Sequence, residues 1–248
     1  MIRPHLLMLP GWGMESHVFS PLIQTLSKTF HLSFLDWRGV KNESEFKERV
    51  NNKLDSIHEP VWLLGWSLGS LPALDMASTY PNKISRLILF GGMSRFTSNE
   101  QYPYGFNPIV VKQMKKQLQR NKEKTLTHFY KEMFSKTDKG KNDFHQFMNL
   151  VHDHFLGDDL ESLMNGLDYL MNADVSMKLS KIKAKCLLIH GQDDEICLHE
   201  ASTFIHKKLQ VESEIYILKE AGHMPFFTET EKCAQIISRF SEGIHHHD

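Results

Sequence analysis

Cysteine and long apolar runs are both scarce in this sequence, and each shortage excludes a class of protein. The three cysteines, Cys186, Cys197 and Cys233, have spacings that match neither a disulfide framework nor a metal motif. No stretch approaches the roughly 20 apolar residues of a membrane helix, and the run Leu6–Leu9 is far too short for a secretory signal. We therefore expect buried thiols and a protein of the reducing cytoplasm with no membrane partner.

An excess of charge of one sign is also missing. Lysine and arginine total 29 and aspartate and glutamate total 30, so the formal net charge is −1. This balance gives no support for nucleic-acid or membrane-surface binding. Hydrophobic residues make up 41% of the chain, which is ordinary for a globular protein. We expect a monomer with one domain, or one domain that carries a small insertion.

Short apolar runs alternate with longer amphipathic segments over most of the chain. The runs are mostly continuous in hydrophobicity, as strands covered on both faces require, and the alternation predicts an α/β fold with a mainly parallel sheet. The predicted strands are His5–Leu9, Leu32–Leu35, Val61–Gly65, Leu87–Phe90, Cys186–Ile189 and Ile215–Leu218. The predicted helices of this part are Val18–Lys28, Glu43–Ser56, Leu68–Tyr80, His199–Leu209 and Glu231–Ser241.

The alternation breaks between residues 96 and 183. This segment has no convincing strand and carries helical patterns that proline and glycine punctuate. We expect an α/β core from residues 1–95 and 184–244, a helical cap from 96–183, and a tail, 245–248, whose histidine run is left out of the fold assignment. The cap helices are predicted at Pro108–Asn121, Lys124–Phe134, Asn142–His154 and Leu160–Met171.

The clearest chemical signal is the G-x-S-x-G motif at residues 65–69, which follows an apolar strand and precedes a helix. A nucleophile at such a site stands on a tight turn, and glycines on both sides relieve the crowding there. Ser67 is therefore the candidate nucleophile. Because a serine hydroxyl is a weak nucleophile, it needs a base.

The partners of Ser67 are expected in the chain order serine, acid, histidine. His223 follows the last predicted strand and Asp194 follows the strand before it, at the carboxyl ends where open α/β sheets place their sites. We expect His223 to take the proton of Ser67 and Asp194 to fix the histidine tautomer. Asp193, in the same turn, is the alternative acid.

The loop after the first strand, residues 9–13, contributes to the same site. A developing oxyanion needs preorganised backbone donors, and we assign this oxyanion hole to the amides of Trp12 and Leu68, with Gly11 letting the loop approach. A phosphate-binding loop is the alternative. It is disfavoured because Gly11-x-Gly13 lacks the third glycine of a dinucleotide motif and the lysine of a P-loop.

One histidine-rich and acidic segment raises the question of a metal site. It contains His152, Asp153, His154, Asp158 and Asp159, but no second ligand cluster accompanies it. We interpret the segment as a solvated helix end and expect no metal and no other cofactor.

Together these motifs resemble the α/β-hydrolase superfamily, and more closely the pimeloyl-[acyl-carrier-protein] methyl ester carboxylesterases of biotin synthesis. The resemblance extends over nearly the whole chain. It includes the segments 10–14, 65–69, 166–170, 173–175 and 221–226. Pro10 departs from the pattern, because the family commonly has histidine there. The resemblance implies the triad Ser67, Asp194 and His223 and the α/β-hydrolase fold with a doubly wound sheet of about six strands.

The resemblance also implies a substrate and its binding residues. It indicates serine carboxylesterase activity on a medium-length acyl methyl ester, with acyl carrier protein as a potential carrier. Phe129 matches a cap aromatic that lines the acyl channel, and Trp12 is expected to bind the same substrate. A thioesterase, an aminopeptidase, a menaquinone-pathway-type lyase and a non-catalytic binding protein of the same fold stay open as alternatives.

A local cluster of basic residues lies on the first predicted cap helix. Lys112, Lys115 and Lys116 share a face, and Arg120 continues it one turn on. The residues expected to form the opposite, buried side are Val110, Val111, Met114 and Leu118. A solvated lysine-rich face is one interpretation. The other is a docking site for the acidic acyl carrier protein, since the resembling family binds that carrier with basic cap residues.

Overall fold

The computed structural model describes residues 3–140 and 142–242, and their core is one six-stranded sheet. All pairings are parallel and the order is β2-β1-β3-β4-β5-β6. The strands are β1 (His5–Leu9), β2 (His31–Phe34), β3 (Val61–Trp66), β4 (Ile84–Phe90), β5 (Lys185–Gly191) and β6 (Ser213–Leu218). The prediction of a mainly parallel sheet of about six strands is confirmed. The predicted tail, 245–248, lies outside the described residues.

Side chains of the central strands alternate between two cores, because successive residues of a strand point to opposite faces. On β1, Leu7 and Leu9 join one core and Leu6 and Met8 join the other, and all four are fully buried. This coverage of both faces explains the continuous apolar runs. The prediction of full coverage is wrong for β2 and β6, which are mostly half-buried. They are the two edge strands and have a neighbouring strand on one side only.

Helices cover both faces of the sheet, as a doubly wound fold requires. One face carries α1 (Ser20–Leu26) and α11 (Thr230–Glu242), and the other carries α2 (Ser44–Asp55), α3 (Ser70–Thr79) and α9 (His199–Lys208). A single turn, α10 (Pro225–Thr228), precedes α11. The 3-10 turns are Ser16–Phe19, Ser67–Gly69 and Ser176–Lys181.

Between β4 and β5, the described residues contain helices and isolated bridges but no strand. The helices are α4 (Pro108–Arg120), α5 (Lys122–Glu132), α6 (Lys136–Gly140), α7 (Asp143–His154) and α8 (Leu160–Asn172). The short α6 was not predicted, because its polar sequence has no apolar periodicity. The division of the chain into a core and a cap stays a prediction. Within the described ranges, no helix has the length and apolar content needed to cross a membrane.

The strand order changes direction between β1 and β3. β2 lies on one side of β1, whereas every later strand lies on the other. The loops that leave β1 and β3 therefore diverge at a switch point, and open α/β sheets bind ligands outside the strand ends there. The segments that follow β1, β3, β5 and β6 carry, in that order, Trp12, Ser67, Asp194 and His223.

Candidate active site

Ser67 lies at a sharp turn between β3 and α3. Its φ of 52° is in the left-handed region, which costs a residue with a side chain roughly 1–2 kcal/mol. The flanking glycines make this turn possible. A Cβ atom on Gly65 would lie 2.6 Å from the Gly69 carbonyl oxygen, and one on Gly69 would lie closer still to the Leu9 carbonyl oxygen. The motif is thus a steric requirement of the turn.

A second serine supports this turn. The Ser70 hydroxyl donates to the carbonyl oxygen of Ser67 at 2.6 Å and accepts the amide of Met93 at 3.2 Å. The motif does not single out Ser70, because its contact with Met93 joins positions 23 residues apart. The structure therefore adds Ser70 to the site as a residue that stabilises the turn.

His223 and Asp194 form a direct pair in the interior. Nδ1 of His223 lies 2.7 Å from Oδ2 of Asp194, and both side chains are fully buried. The other carboxylate oxygen, Oδ1, accepts the amides of Ile196 and Cys197, each at 2.8 Å. Asp194 is thus aligned through both of its oxygens, and its orientation sets that of the His223 ring.

The environment of Asp194 favours its ionised form. Burial alone raises the pKa of this carboxyl, but the charges and hydrogen bonds of His223 and of a second histidine, His190, lower it well below its ordinary value. Asp193, the alternative acid, has an exposed side chain. The carboxylate that contacts His223 is therefore the one that the sequence favoured, and its role as the acid stays a prediction.

The second ring nitrogen of His223, Nε2, is buried and has no hydrogen-bond partner in the part of the chain that the structure describes. Because Nδ1 is bound to a carboxylate, its proton lies on that side and the lone pair is on Nε2, as a general base requires. Gly91 leaves room for the ring, since a Cβ there would lie 3.0 Å from Cε1 of His223. The hydrogen bond from Ser67 is not formed in this state, and such bonds commonly tighten only when substrate binds.

A buried carboxylate on α6, Asp138, binds the loop that carries His223. Oδ2 of Asp138, on α6, accepts the amides of Gly222 and Ser135, each at 2.9 Å. The His223 amide donates to the Met133 carbonyl oxygen at 2.7 Å. Sequence reasoning missed Asp138, because Gly222 is 84 residues away in the chain and α6 has no apolar pattern that would reveal it.

The loop after β1 lies against the serine turn. A Cβ on Gly11 would lie 3.4 Å from the Cβ of Ser67, so the two backbones are close. Trp12 is buried, and its indole Nε1 donates to the Leu163 carbonyl oxygen at 2.8 Å. Leu68 directly follows Ser67 in the 3-10 turn. The structure brings the two segments together, and the use of their amides as oxyanion donors stays a prediction.

A cavity of about 280 Å³, lined by both apolar and polar side chains, lies between α4, α5 and the loop after β5. Its apolar lining comes from Phe96, Phe106, Val110, Val111, Met114, Phe129 and Ile196. Phe129 also packs edge-on against Trp12, with ring centroids 5.0 Å apart, so it contacts both the cavity and the loop after β1.

The prediction that Val110 is buried is wrong. Its side chain is 46% exposed, because α4 buries Val111 and Leu118 instead.

The basic residues of α4 do not form one continuous surface. Lys112, Lys116 and Arg120 are exposed, whereas Lys115 is half-buried. Lys115 forms an ion pair with Asp168 of α8 at 2.5 Å. Its charge is thus matched within the protein, and the surface open to a partner consists of Lys112, Lys116 and Arg120, which follow one another at four-residue spacing along one helix face.

Asp158 is buried, so the prediction of a solvated position is wrong for it. The chain folds back behind the loop after β1, where the Gly157 amide donates to Oε1 of Glu15 at 2.7 Å. Burial raises the pKa of Asp158 to about 7, and the charge of Glu15 adds to the shift. Asp159 caps α8 by accepting the Ser162 amide at 2.8 Å.

Among residues 3–140 and 142–242, no group of three or more histidine, cysteine or acidic side chains could hold a metal ion.

Known proteins match this chain over most of its length. A family model described as alpha/beta hydrolase fold matches residues 4–230. The pimeloyl-[acyl-carrier protein] methyl ester esterase of Shewanella sp. (strain MR-7) is 30% identical over 243 residues, which cover 95% of this chain and 89% of that protein. The esterase of the same name from Neisseria meningitidis serogroup A is 26% identical over 242 residues, covering 96% and 76%.

Solved structures match the fold as well. An esterase from Exiguobacterium antarcticum has a TM-score of 0.84 at 23% identity, covering 96% of this chain and 92% of that one. A bromoperoxidase from Bacillus anthracis has a TM-score of 0.86 at 16% identity, covering 97% and 92%. At these identities the structures support the fold alone. They confirm the predicted fold class, and the relatives above confirm the resemblance to the methyl ester esterases.

Proposed function

The chain belongs to the α/β-hydrolase fold family, and on that basis we propose that it is a serine carboxylesterase acting through an acyl-enzyme intermediate. Its curated relatives are esterases by name. One observation carries the serine mechanism. The buried His223–Asp194 pair presents an unpartnered Nε2, and the His223 backbone is bound by Trp66, the residue before Ser67, whose indole donates to the His223 carbonyl oxygen at 3.0 Å.

The proposed reaction has two stages. The Ser67 hydroxyl attacks the ester carbonyl carbon while Nε2 of His223 takes its proton, and Asp194 stabilises the resulting imidazolium. The carbonyl oxygen becomes an oxyanion that accepts the amides of Trp12 and Leu68. Collapse of this intermediate breaks the ester bond, and the alcohol leaves with the proton from His223. Water then attacks the acyl-enzyme with His223 as base, which releases the acid and restores Ser67.

The cavity beside α4 supports an acyl substrate. Ligand sites are mostly apolar, and Phe129, which lines this cavity, also contacts Trp12 of the proposed oxyanion loop. The relatives' name specifies a pimeloyl-[acyl-carrier protein] methyl ester. We propose the same substrate for this chain, and with it a place in biotin biosynthesis. The helical segment 96–183 would then serve as the lid of the acyl site, and a cytoplasmic location stays a prediction.

A panel of substrates with one acyl chain tests the substrate class. We expect kcat/KM for the methyl ester to exceed that for the matching thioester or aminoacyl amide by about tenfold or more, a difference of about 1.4 kcal/mol in transition-state stabilisation. A fluorophosphonate probe should also label the wild-type protein. A preference for the thioester would indicate a thioesterase. A protein that neither turns over the panel nor reacts with the probe would be a binding protein.

The exposed basic face of α4 supports a carrier-bound substrate. Lys112 and Lys116 flank Gln113, which lines the cavity with Val110, so a partner on this face would sit beside the cavity. Acyl carrier protein is strongly acidic, and complementary charge mainly raises the rate of association. We propose that Lys112, Lys116 and Arg120 attract the carrier.

Glutamate replacement of Lys112, Lys116 and Arg120 should raise KM for a carrier-linked methyl ester by about tenfold at low salt and leave the free ester unaffected. The effect should shrink as salt is raised, since the Debye length is roughly 8 Å at physiological ionic strength. Steady-state kinetics on both esters measures it. The matched control replaces the exposed Lys28, Lys41 and Lys207, which changes the net charge equally. If both triple variants raised KM equally, or if KM rose equally for both esters, the α4 face would be ordinary surface.

A further inference from the structure

His190, the penultimate residue of β5, is fully buried beside the proposed acid. Its Nε2 lies 3.0 Å from Oδ2 of Asp194 and 2.7 Å from the carbonyl oxygen of Cys197. Its Nδ1 lies 2.7 Å from the hydroxyl of Ser202 on α9. A buried histidine with all of its polar atoms engaged is ordinary, but one of these contacts reaches the carboxylate that holds His223.

Hydrogen-bond chemistry places a proton on Nε2 of His190. The two atoms that face it, the Asp194 carboxylate oxygen and the Cys197 carbonyl oxygen, can only accept, so Nε2 must donate. The Ser202 hydroxyl also lies 3.0 Å from the Gly92 carbonyl oxygen. If Ser202 donates to Gly92, Nδ1 must donate as well and His190 is an imidazolium. If Ser202 donates to Nδ1, the ring is neutral. In both states Nε2 carries one N–H, which faces the Cys197 carbonyl oxygen at 2.7 Å and shares its approach with Oδ2 of Asp194 at 3.0 Å.

Two histidines therefore share one carboxylate oxygen. Oδ2 of Asp194 lies 2.7 Å from Nδ1 of His223 and 3.0 Å from Nε2 of His190, while Oδ1 accepts two backbone amides. A hydrogen bond to the charged form of a carboxyl stabilises that charge. The donor of His190 thus reduces how strongly Asp194 attracts a proton on His223, and it also prevents the carboxylate from rotating away.

We propose that His190 is a positioning residue of the active site, which anchors Asp194 through Nε2–H and limits the pull of Asp194 on the proton of His223. This inference rests on the proposed serine-hydrolase function. The ionisable groups close to His190 are Asp194, His223 and the thiol of Cys197. Burial raises the pKa of that thiol and so keeps it protonated. Ser202 of α9 contacts His190, and Gly92, in the loop after β4, contacts Ser202; neither residue carries a charge.

The experiment compares His190→Leu, which removes the donor, with His190→Gln, which keeps a side-chain N–H. We expect kcat of His190→Leu to fall about tenfold or more with KM little changed, because His190 does not touch substrate. The acidic limb of the kcat/KM–pH profile should move up by about 0.5 to 1 pH unit, since Asp194 then holds the His223 proton more strongly. His190→Gln should restore most of kcat and return the limb toward its wild-type position.

His206→Gln is the matched control. His206 also bonds a serine through Nδ1, at 2.8 Å from the Ser213 hydroxyl. It lies near the carboxyl end of α9, whereas Ser202, the partner of His190, lies near the amino end. If His190→Leu does not fold, His190→Asn replaces it, because the shorter amide stays polar but does not reach Asp194. Equal acidic limbs for the wild type and the leucine variant, or for the glutamine and asparagine variants, would overturn the inference. A wild-type protein that neither hydrolyses esters nor reacts with fluorophosphonate would instead refute the proposed function.

Discussion

Ser67→Ala should reduce kcat for ester hydrolysis on the order of 10⁴- to 10⁶-fold, the loss seen when a nucleophile of a comparable triad is removed. The physical reason is that alanine has no hydroxyl to attack the ester carbonyl. The nearest serine in the chain, Ser70, already bonds the Ser67 carbonyl oxygen and contacts Met93. Single-turnover and steady-state kinetics on the preferred methyl ester measure the loss.

The control for Ser67→Ala is a change at the same turn. Ser70→Ala removes a hydroxyl that stabilises the turn but leaves the proposed nucleophile. We therefore expect kcat to fall about tenfold, and the free energy of unfolding to fall by about 1 kcal/mol because of the lost hydrogen bonds. The melting temperature of Ser67→Ala should lie within a few degrees of the wild-type value, because alanine and serine both have to adopt the same left-handed backbone at residue 67. Substantial esterase activity in a folded Ser67→Ala protein would end the serine mechanism.

Asp194→Asn should lower kcat/KM by about 10⁴, as replacement of the acid by its amide does in a comparable triad, whereas Asp193→Asn should change it little. An asparagine amide can donate to Nδ1 and so stabilises the wrong tautomer of His223. It also cannot balance an imidazolium in a fully buried position. Asp193 is exposed and serves as the matched control in the same turn. If Asp193→Asn were the more damaging variant, the assignment of the acid would be wrong.

The stability of Asp194→Asn must be measured alongside its activity. The pKa of Asp194 is lowered in the folded protein, so its ionised form stabilises the fold above the pKa of the unfolded chain, near 3.9. That contribution is lost only as the pH falls through the lower folded-state value. Activity should therefore be compared near neutral pH at a temperature where thermal unfolding shows both variants folded.

The sequence by itself determined the framework of this protein. Continuous apolar runs located the central strands, because a strand covered on both faces admits few polar residues. The glycines of residues 65–69 identified the serine turn, since a Cβ at Gly65 or Gly69 would collide with backbone a few ångströms away. Strand ends then placed Asp194 and His223 at the same edge as Ser67. These are local properties or consequences of strand order, so a linear pattern carries them.

Only the tertiary structure decided which side chains contact one another and which are buried. The Lys115–Asp168 ion pair joins positions 53 residues apart, and the Asp138–Gly222 hydrogen bond joins positions 84 apart. His190 lies close to Asp194 in the chain, yet its contact with the carboxylate depends on how the loop after β5 turns back toward the strand. Asp158 is buried because its loop packs against the segment after β1, where the Gly157 amide bonds Glu15. Apolar periodicity reports which face of an element is covered, but it does not report which polar group lies opposite, and that is what orients Asp194 and His223 here.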